Sequence, residues 1–126
     1  MKKTIVFDFD GVIHTGYTGW KDGSIYGNID IDLIEYIKLL MKDYYIVISS
    51  NRPARQIVEH LNELNLGIIF EVFKKDLNDN MFWNKDNVVG VTNEKPVGVL
   101  YIDDRGYRYD GLKNLRKFIG DSNVKD

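Results

Sequence analysis

Apolar positions along the chain fall into two kinds of pattern. Short continuous runs, rich in β-branched and aromatic residues, occupy positions 4–8, 44–48, 68–73 and 97–102, and such runs are typical of strands buried on both faces. Elsewhere, apolar residues recur every three or four positions, which predicts three amphipathic helices. The residues that support these helices are Leu33, Ile34, Ile37, Leu40 and Met41; Ile57, Val58, Leu61 and Leu64; and Leu112, Leu115, Arg116 and Ile119.

Strands that alternate with helices predict an α/β fold with a parallel sheet, because right-handed crossover connections place the helices on the faces of the sheet. We therefore expect a Rossmann-like, three-layer α/β/α sandwich. Asp30 or Asp32 is expected to cap the first helix, and Gly67 to end the second. Residues 11–30 read as a glycine-rich loop without helical period, and residues 74–95 are polar and give no clear element.

Polar residues of chemical interest come directly after the predicted strands. Asp8 and Asp10 follow the first strand with Phe9 between them, and strand alternation would send both carboxylates to the same side. The carboxyl ends of parallel strands share one edge, which is where open α/β sheets bind ligands. At that edge we expect two acidic pairs, a hydroxyl group and a lysine to converge, contributed by Asp8, Asp10, Ser49, Lys95, Asp103 and Asp104.

This set of residues indicates phosphoryl chemistry at a metal site. Two carboxylates that lie close together repel each other unless a cation or a shared proton relieves them. Carboxylates favour Mg²⁺, a hard ion that takes oxygen ligands and usually keeps several waters. A hydroxyl and an ammonium group beside that ion are what the oxygens of a phosphoryl group need.

Length and composition predict a single domain over residues 1–126. The 17 Lys and Arg residues against 19 Asp and Glu give a net charge of −2, so charge alone would not attract nucleic acid or an anionic membrane strongly. The absence of cysteine excludes disulfides, thiolate zinc sites and cysteine nucleophiles. The sequence contains no recognisable signal peptide and no apolar stretch long enough for a span, so we expect a cytoplasmic protein without a membrane partner.

Four short motifs give the chain a resemblance to the haloacid dehalogenase-like (HAD) superfamily, in its phosphatase branch. FDFDGV matches the family's first motif, two aspartates one residue apart followed by glycine, and IVISSN matches the second, a Ser or Thr at the end of the second strand. NEKP supplies the lysine of the third motif and YIDD the acidic pair of the fourth. The motifs span residues 4–104 in the family's order, and the first and fourth are specific in combination.

The resemblance implies a catalytic role for each matching residue. Asp8 would be the nucleophile that forms an aspartyl-phosphate. Asp10 would protonate the leaving oxygen and then activate the water that hydrolyses the intermediate. Ser49 would bind a phosphate oxygen, with Ser50 as the competing hydroxyl. Lys95 would balance the charge of nucleophile and phosphate.

The cofactor implied by the resemblance is Mg²⁺. Its ligands would be Asp8, the backbone carbonyl of Asp10, and the pair Asp103 and Asp104, of which either could be the direct ligand. Arg105, beside that pair, would bind further phosphate or else pair with a neighbouring aspartate.

The implied activity is Mg²⁺-dependent phosphomonoester hydrolysis. Residues 11–30 and 74–95 are each too short for a cap domain, so the chain resembles a minimal, nearly capless member, similar to the phosphatase half of polynucleotide kinase-phosphatases. An open crevice would suit a nucleotide or a nucleic-acid end, and aromatic residues within 15–20 could stack on a base or sugar. The alternatives are a phosphotransferase and a non-catalytic, response-regulator-like or scaffold domain that binds Mg²⁺. His14 is expected to be an exposed loop residue.

Overall fold

The computed structural model has an α/β fold built on a five-stranded parallel sheet flanked by helices. It describes residues 2–73, 83, 85–94, 100–102 and 107–121. The elements among these residues are, in chain order, β1 (Lys3–Asp8), β2 (His14–Thr15), β3 (Asn28–Ile29), α1 (Ile31–Leu40), β4 (Tyr44–Ser49), α2 (Ala54–Glu63), β5 (Ile69–Val72), β6 (Val88–Thr92), β7 (Leu100–Ile102) and α3 (Leu112–Asp121).

The sheet has the strand order β5-β6-β4-β1-β7, and all neighbouring strands run parallel. β1 therefore lies between β4 and β7. Its side chains alternate: Ile5 and Phe7 pack into the main core, whereas Val6 belongs to a smaller apolar cluster with Phe73 and Trp83. Apolar packing on both sides explains why β1 reads as a continuous apolar run. The predicted α/β fold with a parallel sheet is confirmed.

The helices follow the predicted apolar spacing. Asp30 is the N-cap of α1, since its side chain accepts a hydrogen bond from the Leu33 N–H at 3.1 Å. Asp32, the alternative cap, lies in the first turn, where a negative charge suits the helix dipole. The second helix, α2, ends at Glu63, before the predicted stop at Gly67. None of the helices in the described ranges is long and apolar enough to cross a bilayer.

β6 is a strand that the sequence pattern does not predict. It lies in the polar segment 74–95 and enters the sheet between β4 and β5. Gly90 stands in the middle of the strand, where glycine weakens the apolar signal. The structure explains this glycine, because a Cβ at position 90 would lie 2.7 Å from the indole ring of Trp83. Close packing of the Trp83 ring therefore explains why this strand has a glycine at its centre.

A second unpredicted feature is the small antiparallel pair β2 and β3, which closes residues 16–27 into a loop. Each strand has only two residues, too few to show alternation in sequence. The loop carries Tyr17, Trp20 and Tyr26 and is called the aromatic loop below. Backbone hydrogen bonding from Asp30 N–H to the Ile13 carbonyl, at 2.9 Å, ties the end of the pair to the start of α1.

Candidate active site

The carboxyl ends of β1, β4 and β7 lie side by side at one edge of the sheet. In the parallel register Asp8 pairs with Ser49, the last residue of β4. On the other side, Phe7 pairs with Ile102, the last residue of β7. The structure thus brings Asp8 and Ser49 together as predicted. Four predicted site residues lie outside the described residues, namely Lys95, Asp103, Asp104 and Arg105.

A tight turn follows β1 and carries Asp10. The Phe9 carbonyl accepts hydrogen bonds from the N–H groups of Val12, Ile13 and His14 at 3.2, 2.9 and 2.8 Å. Gly11 has φ +85°, a left-handed conformation that favours glycine. Because β1 ends at Asp8 and a turn begins at Phe9, strand alternation does not set the direction of the Asp10 side chain. The turn instead returns His14 to the position beside Asp10.

His14 is fully buried, which corrects the expectation of an exposed loop histidine. Its Nδ1 lies 2.7 Å from Oδ1 of Asp10, and its Nε2 lies 2.8 Å from the backbone nitrogen of Gly27. An amide N–H can only donate, so Nε2 of His14 is the acceptor. Nδ1 therefore carries the proton and donates the hydrogen bond to Asp10. The contacts therefore assign a neutral imidazole with its proton on Nδ1. Phe9 and Tyr26 enclose the ring at centroid distances of 5.5 and 5.4 Å.

Arg52 is the second partner of the Asp10 carboxylate. Its Nε lies 3.0 and 2.9 Å from the two carboxylate oxygens, and the guanidinium is fully buried while the Asp10 side chain is 15% exposed. Sequence reasoning assigned no role to this arginine. The available signal is its position, directly after the IVISSN motif and directly before Pro53, the N-cap residue of α2.

The two candidate phosphate-binding hydroxyls have different partners. Ser49, half-buried at the end of β4, donates to the backbone carbonyl of Glu94 at 2.6 Å. Ser50 is buried, and its Oγ accepts a hydrogen bond from the Arg52 N–H at 3.2 Å. A phosphate oxygen needs a donor, so Ser49 would have to turn its proton away from Glu94, and Ser50 would donate from a buried position. The choice between the two stays open.

The aromatic loop lies over Arg52. Its Gly23 carbonyl accepts hydrogen bonds from Nη1 of Arg52 at 2.6 Å and from Nε2 of Gln56 at 2.7 Å. At the loop tip, Ser24 donates from its backbone N–H and its hydroxyl to Asp22 at 3.0 and 2.7 Å. These hydrogen bonds hold the pKa of Asp22 below its ordinary value. The loop is therefore organised both internally and against α2.

A cleft of about 500 Å³ opens at the start of α2. Its apolar wall is formed by Pro53, Ala54, Val72 and Phe73, and polar groups come from Arg55, Asn93 and Glu94. Among these lining residues, Glu94 is the one whose backbone carbonyl accepts the hydrogen bond from the Ser49 hydroxyl. The cleft is therefore adjacent to the hydrogen-bond partner of Ser49, while Asp8, Asp10 and Ser49 do not line it.

The described residues supply only part of the predicted metal site. Asp8 is a half-buried carboxylate at the sheet edge, which is a suitable oxygen donor for Mg²⁺. The Asp10 carboxylate is bound by His14 and Arg52, which leaves its backbone carbonyl for the predicted metal contact. Among the described residues no group of three or more His, Asp or Glu side chains is placed to hold a metal ion.

Lys85 is also accounted for by the structure. Its Nζ forms an ion pair with Glu71 at 2.8 Å. Both side chains are largely exposed. This lysine therefore belongs to a surface ion pair on the edge strand β5.

Comparisons with protein-family models, with curated proteins and with solved structures found no match for this chain. The HAD-like resemblance consequently rests on the four sequence motifs.

Proposed function

We propose that this chain is a Mg²⁺-dependent phosphomonoester hydrolase with a HAD-like three-layer fold. The observation that supports it most is the register of β1 and β4, which pairs Asp8 with Ser49 at the carboxyl edge of the central strands. A nucleophilic carboxylate and a phosphate-binding hydroxyl need this proximity. Asp10 follows two residues later and is held in place by His14 and Arg52.

In the proposed reaction a carboxylate oxygen of Asp8 attacks phosphorus, and the bond from phosphorus to the leaving oxygen breaks. Asp10 gives a proton to that oxygen and afterwards takes one from water, which attacks the aspartyl-phosphate and releases inorganic phosphate. Mg²⁺, held by Asp8, the Asp10 carbonyl and Asp103 or Asp104, would supply positive charge to the phosphate oxygens. Ser49 or Ser50, Lys95 and Arg105 would orient the phosphate.

The substrate class of this proposal is a phosphorylated small molecule or chain end. The cleft at the start of α2, which Glu94 lines, has an apolar wall and a few polar groups, which suits a leaving group with a flat or apolar part. A nucleotide or a nucleic-acid end, the substrate suggested by the resemblance, has that character. The net charge of −2 offers no general attraction for polyanions, so a single phosphate end is favoured over a long duplex.

The contacts of Asp10 favour a second candidate, a non-catalytic or phosphotransfer domain. The carboxylate accepts hydrogen bonds from a buried arginine and a histidine, so most of its acceptor positions are used within the protein and few remain for proton exchange with substrate. A domain that binds Mg²⁺, or that accepts a phosphoryl group on Asp8 and passes it to another acceptor, has no need for that exchange.

Hydrolysis of an aryl phosphate and of an alkyl phosphate, with and without Mg²⁺, tests the proposal. We expect Asp8→Asn to lower kcat/KM by about 10³-fold or more for both substrates, because the nucleophile is lost. Asp10→Asn should slow the alkyl ester more than the aryl ester, since a good leaving group needs less protonation. Asp43→Asn, an exposed carboxylate after α1, is the matched control.

Two outcomes would contradict the proposal. Absence of Mg²⁺-dependent turnover over a broad panel of phosphomonoesters would favour the second candidate, and turnover that survives Asp8→Asn would remove the assigned nucleophile. Ser49→Ala and Ser50→Ala, measured in parallel, identify the phosphate-binding hydroxyl as the one whose loss raises KM more.

A further inference from the structure

Arg52 is a fully buried charge shared between the candidate site and the aromatic loop. Burial of a guanidinium is unfavourable unless it is paired and hydrogen-bonded. Here Nε contacts both carboxylate oxygens of Asp10, and Nη1 donates to the Gly23 carbonyl. Nη2 is buried and makes no hydrogen bond within the described part of the chain. Arg52 therefore depends on two partners from different parts of the fold.

The loop side of this arrangement is closely packed. The indole of Trp20 lies 4.9 Å from the guanidinium carbon and the Tyr17 ring lies 5.8 Å from it, distances at which a cation attracts aromatic faces. Gly23 has φ +83°, and a Cβ there would lie 2.8 Å from the Trp20 ring. Gln56 adds a second donor to the Gly23 carbonyl. The loop tip is thus docked onto the side chain that also holds Asp10.

We propose that Arg52 is a positioning residue that couples the Asp10 carboxylate to the docked state of the aromatic loop. Replacement of Asp10 by a neutral side chain removes the counter-ion of the buried guanidinium, and the loop contact is weakened with it. If the loop leaves, Nη1 loses its acceptor and water reaches the ion pair. The proposal depends on the proposed function only for its catalytic consequence.

Asp10→Asn is the decisive variant, because its effect on the loop must pass through Arg52. The Asn oxygen can still accept the Nδ1 proton of His14, so the link from His14 to Gly27 is preserved. What the variant removes is the negative charge opposite Arg52. A change in loop docking caused by Asp10→Asn is therefore specific to the proposed coupling.

Tryptic cleavage after Lys21 measures loop docking. Lys21 is exposed within the aromatic loop, and no other Lys or Arg lies between Lys3 and Lys38, so the cut gives distinct fragments. Because proteolysis follows the population of the open loop, we expect Asp10→Asn and Arg52→Met to raise the cleavage rate about tenfold or more. Arg52→Lys should lie between these and wild type, since it keeps the charge but loses the planar donor set.

Arg116→Met is the matched control, as it removes a cation–π contact with Tyr36, at 4.7 Å, from the face of α3. It should be cut at Lys21 at the wild-type rate, and circular dichroism should show that each variant tested is folded. Wild-type cleavage rates in folded Asp10→Asn or folded Arg52→Met would overturn the coupling. If neither of these two variants folds, Arg52→Lys decides the question. A wild-type cleavage rate in folded Arg52→Lys would then overturn the coupling.

Catalysis provides a separate readout. With an aryl phosphate, Arg52→Met should lower kcat about tenfold or more with a smaller change in KM, as expected for misplaced catalytic geometry, whereas Arg116→Met should keep both values. A wild-type protein without turnover would contradict the proposed function, while the rate at Lys21 would still decide the coupling. An unchanged kcat in Arg52→Met, in an active protein, would contradict the positioning role.

Discussion

At the residue scale, His14 links three parts of the candidate site. It donates to Asp10, accepts from Gly27 and packs against the rings of Phe9 and Tyr26. A neutral imidazole can hold this position because it presents one donor and one acceptor in opposite directions. Its main contribution is to satisfy polar groups that folding removes from water.

The His14→Phe variant tests that contribution. Phenylalanine keeps a ring between the aromatic neighbours but leaves the Gly27 N–H and one Asp10 oxygen without this partner, so we expect the free energy of unfolding to fall by about 1–3 kcal/mol. Urea denaturation measures the change through the midpoint at constant slope. His60→Phe, on the half-buried face of α2, is the control and should change stability by no more than about 0.5 kcal/mol. Equal losses in the two variants would show that ring substitution, not hydrogen bonding, is responsible.

Arg52 shows what a sequence pattern leaves out at this scale. The motif after β4 draws attention to Ser49 and Ser50, whose type and position suggest phosphate binding. The arginine two residues later has no signal of its own, because most arginines are exposed and only the folded chain reveals that this one is fully buried. Contacts across 42 positions of sequence, such as that from Arg52 to Asp10, are set by the sheet order.

At the element scale, the spacing of apolar residues predicted the helices, which are long enough to repeat their apolar stripe. α1 and α3 each have ten residues and show their apolar stripe clearly. Gly90 interrupts the valines of β6, and β2 and β3 have only two residues each, so none of these strands shows alternation or a continuous apolar run. The packing of Trp83 against Gly90 is a tertiary constraint. It changes the strand sequence in a way that local propensity does not anticipate.

The start of α1 is an element boundary that can be tested by itself. Asp30 accepts the Leu33 N–H, and replacement of such an N-cap by alanine costs about 1 kcal/mol. We therefore expect Asp30→Ala to lower the free energy of unfolding by that amount in urea denaturation. Asp30→Asn is the matched control, since an asparagine oxygen caps equally well. A similar loss in both variants would assign the effect to the charge of Asp30 and not to the cap.

At the scale of the whole molecule, the strand order brings the ends of β1 and β4 next to each other, a proximity that the sequence motifs only suggest. β1 and β4 are separated in sequence by the aromatic loop and α1, yet they are neighbours in the sheet, and β7 adjoins β1 on the other side. The sequence could predict that polar residues after parallel strands share an edge. It could not predict that a strand within the polar segment 74–95 would separate β4 from β5, or that the aromatic loop would fold back onto α2. Those features depend on packing between distant segments.

The magnesium binding proposed for this edge should stabilise the entire fold, because the unfolded chain does not bring the strand ends together. A ligand that binds only the folded state raises the free energy of unfolding by about 2.7 kcal/mol at 100 times its Kd. We expect wild-type protein to show a rise in Tm with increasing Mg²⁺ that EDTA reverses. Asp8→Asn should lose most of that rise, since it removes the carboxylate at the end of β1, whereas Asp43→Asn should keep it. Thermal denaturation over a Mg²⁺ titration measures all three proteins under one set of conditions. An equal response in Asp8→Asn and wild type would place the ion elsewhere, and no response in wild type would contradict the magnesium site itself.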